Sequence, residues 1–309
     1  MAGTVVAAFE ELLSRIELNP SRVALASQRY NAVKEVLERA GHSLRRIGSF
    51  QRSTKIRPLD LSDALDVDAV ATRATAHRIA PAGEPGGITP GRALEDLRNA
   101  LCANQTYKVM EPQTDAPTVV LQYADNFSIE VVPAFIDKTG KHEHGPGQPD
   151  CYLIPKHGDW VPADYDFDAG YISDLNNSVS IHGTLVPAIK MIKAFVRGQD
   201  IRLTSFQTEC LVARIVPPAI RQWSTQSLIW GYRHVLAHFL SQVSSVLTEP
   251  IGIPGSFTPL SQLSPIQFAV FSASLTAKGA RAWEICKIEN EPQAIRAWYE
   301  FFGAPFPSS

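Results

Sequence analysis

The chain has 309 residues, 29 Lys and Arg against 31 Asp and Glu, and a formal net charge of −2. That balance excludes an overall basic nucleic-acid binder, though not a local basic patch. With 45% apolar and 19% charged residues it is no disordered chain, and its length suits about two domains of ordinary size. The four cysteines, Cys102, Cys151, Cys210 and Cys286, form no CxxC pair. Buried free thiols are therefore expected, not a zinc knuckle or a disulfide framework. No run approaches the ~18 apolar residues of a membrane span, and MAGTVVAAFEELL reads as a helix, not a signal peptide. A cytoplasmic protein without a membrane partner is expected.

In chain order, residues 4–18 read as a helix stopped at Asn19-Pro20, and Ser21 as the cap of a second helix running to about residue 40. Val23, Ala26, Tyr30, Val33 and Leu37 share one face of it, and Gly41 suits the left-handed position that ends it. A strand over 43–47 leads into Gly48-Ser49. Residues 65–72 alternate as a strand, 81–91 form a Pro/Gly loop, and 92–103 a helix. Runs 117–123 and 127–135, separated by Ala124, Asp125 and Asn126, read as a hairpin. A polar loop over 137–150 precedes a strand at 151–155. After about residue 170 the pattern is helical: 171–197 broken near Ser180, then 204–216, 224–247, 264–288 and 292–302, with Pro217-Pro218 and Pro250 to Gly255 as breaks. Strands mixed with helices and then a helical half imply an α+β lobe joined to an α lobe, with a cleft between them as the place for a site.

Three features carry chemistry. A Gly48-Ser49 turn after a strand exposes backbone N–H groups and a hydroxyl suited to phosphate oxygens, although alone it is also an ordinary turn. Asp66 and Asp68, at i and i+2 of a strand, point to one face while Leu65, Val67 and Ala69 pack on the other. Adjacent carboxylates repel unless a cation separates them, and hard oxygen donors suit Mg²⁺; a solvated acidic strand end is the alternative. Glu130 stands in the apolar strand FSIEVVPAF and needs a partner, a metal or solvent. If the two strands are neighbours, three carboxylates meet. Arg45, Arg46, Arg52, Lys55 and Arg57 form a phosphate-attracting rim or a solvated edge. His142, Glu143 and His144 read as a mobile loop, and His234 with His238 as a packed or surface pair. Trp223, Trp230, Trp283 and Trp298 suit a helical core. Neither GxGxxG nor GxxxxGK[ST] is present.

Together, GS, then Thr54-x-Ile56-Arg57-Pro58, then Asp66-x-Asp68, then Glu130 followed by VVPA resemble the nucleotidyltransferase superfamily of DNA polymerase β. More narrowly they resemble the bacterial CD-NTases of SMODS type, relatives of cyclic GMP-AMP synthase and 2′-5′-oligoadenylate synthetase. IKMIKAF (189–195) and LTSFQTE (203–209) look like that family's Lys-bearing helix and its S-F/Y-x-x-E helix. Two departures stand out: Glu130 replaces the usual third Asp, and the Ser49–Asp66 spacing is lengthened by LDLSDA, which carries Asp60 and Asp63. The resemblance implies a bilobed α+β fold, with 1–170 as the catalytic core plus N-terminal helices and 171–309 as a helical domain. It implies two Mg²⁺ ions, with Mn²⁺ as a substitute, held by Asp66, Asp68 and Glu130, the last accepting the proton of an attacking ribose hydroxyl. Gly48, Ser49, Lys193 and Ser205 would hold the nucleoside triphosphate; by their own pattern Lys193 also suits a solvated helix face and Ser205 a helix cap. The implied product is a cyclic di- or trinucleotide messenger, with pyrophosphate release, in CBASS antiphage signalling. A separate effector would bind it, and the enzyme would be a monomer without a stable nucleic-acid partner. Transfer to RNA ends or protein hydroxyls, and a nucleotide-binding pseudoenzyme, are the competing readings.

Overall fold

The computed structural model describes residues 3–59, 64–73, 87–137, 141–199, 201, 203–247, 249–258, 260 and 264–308. Asp60 and Asp63, and most of the Pro/Gly loop expected over 81–91, lie outside the described residues.

Helix α1 (Val5–Ile16) is capped by Thr4, whose hydroxyl accepts from Ala7 N. Helix α2 (Pro20–Arg39) is capped by Asn19 with Pro20 in its first turn, two positions earlier than the expected Ser21 cap. It ends before Gly41, whose φ is +85°. Strand β1 (His42–Arg46) then runs into a four-residue helical turn, α3 (Gly48–Gln51).

The sheet is ordered β1–β2–β5–β4–β3, with β2 (Leu65–Arg73), β3 (Gln113–Asp115), β4 (Thr118–Tyr123) and β5 (Phe127–Ile136). β2 and β5 are parallel; the other pairs on this path are antiparallel. The far end of β5 pairs with β6 (Tyr152–Lys156), and β6 with β7 (Asp159–Ala163), an extra strand with no clear sequence pattern. The crossover from β2 to β5 carries α4 (Pro90–Cys102) and α5 (Gln105–Val109).

Alternation divides the sheet. Leu65, Val67, Ala69, Ile129 and Val131 join α2 and α4 in one core, which leaves Asp66, Asp68 and Glu130 on the opposite face.

The helices that follow are α6 (Tyr165–Asn177), α7 (Leu185–Gly198), α8 (Ser205–Thr225), α9 (Tyr232–Val246), α10 (Pro265–Cys286) and α11 (Glu291–Phe302). They share a second core with α1: Phe9 meets Trp298 and Phe306 edge-on, at 5.2 and 5.0 Å between ring centroids. Trp298 is fully enclosed, while Trp223, Trp230 and Trp283 lie at its margin.

One expected break is corrected. Pro217-Pro218 lie inside α8. Each proline removes a helical hydrogen bond, but Ile215, Val216, Ala219 and Ile220 around them are all buried in the helical core, and that burial outweighs the loss. The four cysteines form no disulfide. Among the described residues no helix is long and apolar enough to cross a membrane.

Candidate active site

The turn after β1 is fixed by one contact. Gly48 has φ +70°, in the left-handed region. A β-carbon there would sit 2.7 Å from the carboxyl carbon of Asp68. Only glycine lets the turn lie against that carboxylate. Ile47 N donates to Asp68 O at 2.9 Å, and Thr54 N closes the turn onto Ser49 O at 2.9 Å. Ser49 is buried at this point.

The two strands expected to be neighbours are neighbours. In the parallel β2–β5 register Asp68 stands opposite Glu130, and Asp66 opposite Ser128. Burial pushes the Asp68 carboxyl up to about 7, with the Asp66 carboxylate adding to the rise and Lys55 opposing it. Glu130 is raised in the same way, by burial first and then by Asp66. The site thus carries more negative charge than its surroundings neutralise, which is the electrostatic signature of a cation site.

The donor set fits Mg²⁺ or Mn²⁺: three carboxylates and no sulfur. Among the described residues, however, no three His, Cys, Asp or Glu side chains are gathered tightly enough to hold an ion as they stand. Lys55 also lies among them. Its ammonium donates to Asp66 Oδ1 at 2.7 Å, and its side chain is only 6% exposed.

Behind the turn lies a buried group of charges. Arg52 Nε donates to Glu209 Oε2 at 2.6 Å. Lys193 Nζ donates to Glu209 Oε1 at 2.9 Å and to the Thr54 carbonyl at 3.0 Å. Glu209 is 0% exposed and Lys193 2%. Burial alone would raise the Glu209 carboxyl, but Arg52 and Lys193 together hold it well below the usual carboxylate range. Lys193 is therefore not a free cation on a solvated helix face. Ser205 opens α8 without capping it; Thr204 is the cap and forms a capping box with Gln207. Ser205 Oγ accepts from Arg197 at 3.3 Å.

Three of the five clustered cations are thus committed to carboxylates: Arg52 to Glu209, Lys55 to Asp66, and Arg45 to Asp166 at 2.7 Å. Arg46 stacks over Tyr30 at 4.6 Å. The histidine-bearing loop is anchored as well: His142 Nδ1 lies 2.6 Å from Asp137 Oδ2, and His144 stacks on Phe167 with its Nε2 3.1 Å from Asp164. His238 meets Trp223 edge-on, and His234 Nδ1 accepts from Gly231 N. Lys55, Arg52 and Glu209 join the site in ways the sequence reading does not assign: Glu209 closes the S-F/Y-x-x-E motif, and Arg52 and Lys55 belong to the basic cluster, but none has a partner named by spacing. Lys55 had a signal, since it sits between Thr54 and Ile56 in an extended stretch where both neighbours are buried. For the pairing of Arg52 with Glu209, 157 positions apart, no local signal exists.

Comparison with known proteins agrees with this geometry. Residues 3–148 match the family model of the Second Messenger Oligonucleotide or Dinucleotide Synthetase (SMODS) domain. A probable cyclic nucleotide synthase of Bacillus cereus (strain VD146) is 23% identical over 292 residues, covering 87% of this chain and 83% of its own length. Vibrio cholerae DncV, solved with GTP and 5MTHFGLU2, superposes with a TM-score of 0.69 at 12% identity over 99% of this chain and 98% of its own. CdnC of Escherichia coli MS115-1, solved with ATP, gives 0.66 at 12% identity over 98% of both chains. A matched synthetase domain over residues 3–148, a fold shared along the whole chain, and carboxylates set against a Gly-Ser turn agree with one another: the chain is similar to the CD-NTases, has their fold, and is a nucleotidyltransferase.

Proposed function

We propose that this enzyme joins nucleoside triphosphates into a cyclic di- or trinucleotide messenger, releasing pyrophosphate, in CBASS antiphage signalling. The observation that carries the reading is the placement of Asp66, Asp68 and Glu130 on one sheet face, with Gly48 packed against Asp68. The likeness to a probable cyclic nucleotide synthase and to relatives solved with ATP and with GTP supports the substrate class.

In this reading Asp66, Asp68 and Glu130 hold two Mg²⁺ ions, which Mn²⁺ can replace. When bound, such ions neutralise charge on the attacking and leaving oxygens. Glu130 accepts the proton of the ribose hydroxyl; its raised carboxyl makes it a better base than a solvated glutamate. Gly48 and Ser49 hold the β- and γ-phosphates. Lys193 and Ser205 contact the triphosphate tail from the helical side, a role for which the Lys193 ammonium must turn away from Glu209. The lobes divide near residue 170, α1 packing with the helical core. The product acts on a separate effector, and the enzyme works as a cytoplasmic monomer.

The test is incubation of the full chain with labelled nucleoside triphosphates and Mg²⁺ or Mn²⁺, followed by resolution of phosphatase-resistant products. Cyclic products of two or three nucleotides are expected. Asp66→Asn with Asp68→Asn should lower turnover by several orders of magnitude while leaving the melting transition cooperative. Product formation near the wild-type rate in that variant would refute the assignment.

A further inference from the structure

Lys55 takes no part in the chemistry just described, yet it is built into the site. It lies on the extended stretch between α3 and β2, pinned on both sides by Thr54 and Ile56, which are 0% and 1% exposed. Its ammonium donates to Asp66 Oδ1 at 2.7 Å and lies 5.9 Å from the centre of the Phe50 ring. The Lys55 side chain is enclosed, whereas that of Asp66 is 34% exposed. This is not an exposed surface ion pair whose partners exchange freely with water. It is a single positive charge placed on a carboxylate that is itself one-third exposed.

Asp66 cannot serve two cations equally well. An ammonium at hydrogen-bond distance and a divalent ion on the same carboxylate would repel each other strongly. A lysine stem has four rotatable carbons and carries a point charge, so its head can move while its root stays fixed. We propose that Lys55 is the site's internal counter-ion: it neutralises Asp66 in the metal-free protein, gives Asp66 up when a divalent cation binds, and so sets the metal affinity of the site. A second consequence follows from charge balance. A displaced ammonium needs a new anion, and the phosphates of an incoming nucleotide are the nearest anions the reaction supplies. Nucleotide should therefore strengthen metal binding through Lys55, and by reciprocity metal should strengthen nucleotide binding. This inference rests on reading the three carboxylates as the metal site.

The experiment titrates Mn²⁺ into the full-length protein without nucleotide, following free Mn²⁺ by electron paramagnetic resonance, alongside melting curves in EDTA and in Mn²⁺. Lys55→Met keeps the buried stem and removes the charge. It should bind Mn²⁺ about tenfold tighter than wild type, melt lower in EDTA and gain more on Mn²⁺ addition. The increase in Mn²⁺ affinity caused by a non-hydrolysable triphosphate should shrink. Lys55→Arg guards against a folding failure of the first variant: a guanidinium fork grips Asp66 harder, so Mn²⁺ binding should be weaker than wild type. Equal or weaker Mn²⁺ binding in a folded Lys55→Met protein would overturn the proposal and make Lys55 an orienting partner of Asp66; Mn²⁺ binding by Lys55→Arg as tight as wild type would overturn it too. Asp68→Asn separates the two levels. If it abolishes Mn²⁺ binding while Lys55→Met matches wild type, only the counter-ion role fails; if it leaves Mn²⁺ binding intact, the carboxylate reading fails and this inference with it.

Discussion

Gly48 shows how much of the site rests on one missing β-carbon. Two costs attach to any replacement: a positive φ, worth roughly 1–2 kcal/mol for an alanine, and a methyl group driven into Asp68. The second falls on a proposed metal ligand, so Gly48→Ala should reduce turnover more than hundredfold with a modest drop in melting temperature; near-normal activity would show that the turn can shift away from Asp68 freely. Glu130 offers a different check. Glu130→Gln keeps size and removes charge, so kcat should fall by a factor of about a hundred or more while nucleotide affinity changes little. Unchanged kcat would leave the third carboxylate without a chemical role. Asp66 and Asp68 were legible from the sequence because i and i+2 share a strand face whatever the fold. Their pairing with Glu130 needed a register across a crossover of some sixty residues, and the Lys55 contact needed the path of the chain between α3 and β2. Neither is a local property.

Among the elements, those with a strong period were legible and those decided by burial were not. β4 and the first half of β2 alternate, and β2, β5 and the β4–β5 hairpin lie where the pattern puts them. The Pro217-Pro218 pair was misleading, because helix propensity is a weak prior against the burial of a whole helix face. β1 carries a consequence for pH. His42 opens that strand at 7% exposure, and among the described residues neither ring nitrogen has a hydrogen-bond partner. Burial, reinforced by Arg73 and opposed by Asp96, brings its imidazole down to about 4. Above the unfolded value of about 6.5 the ring is neutral in both states and pH has no purchase through it. As pH falls from there toward 4, the unfolded chain takes a proton that the folded one refuses, and stability declines by roughly 3 kcal/mol in total. His42→Phe should remove this component: the wild-type loss in urea midpoint between pH 7 and 4.5 should exceed that of the variant. Parallel losses would mean that His42 is hydrated in the folded state.

At the scale of the molecule, the helical core and the sheet lobe meet along a seam held by charge. α1 precedes the sheet in sequence yet packs with the last helix, Val5 N donating to Glu291 at 2.5 Å, a closure that no window of residues announces. Across the seam, Glu209 of α8 binds Arg52, the residue that ends the Gly-Ser turn, and Lys193 of α7. Two cations share one anion, so the three members are not equivalent. Removing Lys193 leaves the Arg52–Glu209 pair balanced and strips one donor each from Glu209 Oε1 and the Thr54 carbonyl, a loss of about 1–3 kcal/mol. Removing the charge of Glu209 leaves two buried cations without the carboxylate that both of them bind, which costs about 3–5 kcal/mol. Glu209→Gln should therefore destabilise the protein more than Lys193→Met in urea unfolding, even though it is the smaller chemical change. Because Arg52 N also donates to Gly48 O at 3.2 Å, the same variant should loosen the turn against Asp68 and lower kcat. Equal destabilisation by the two substitutions would mean that hydrogen bonding and not charge balance holds the seam, and Glu209 would then be one polar contact among several across it.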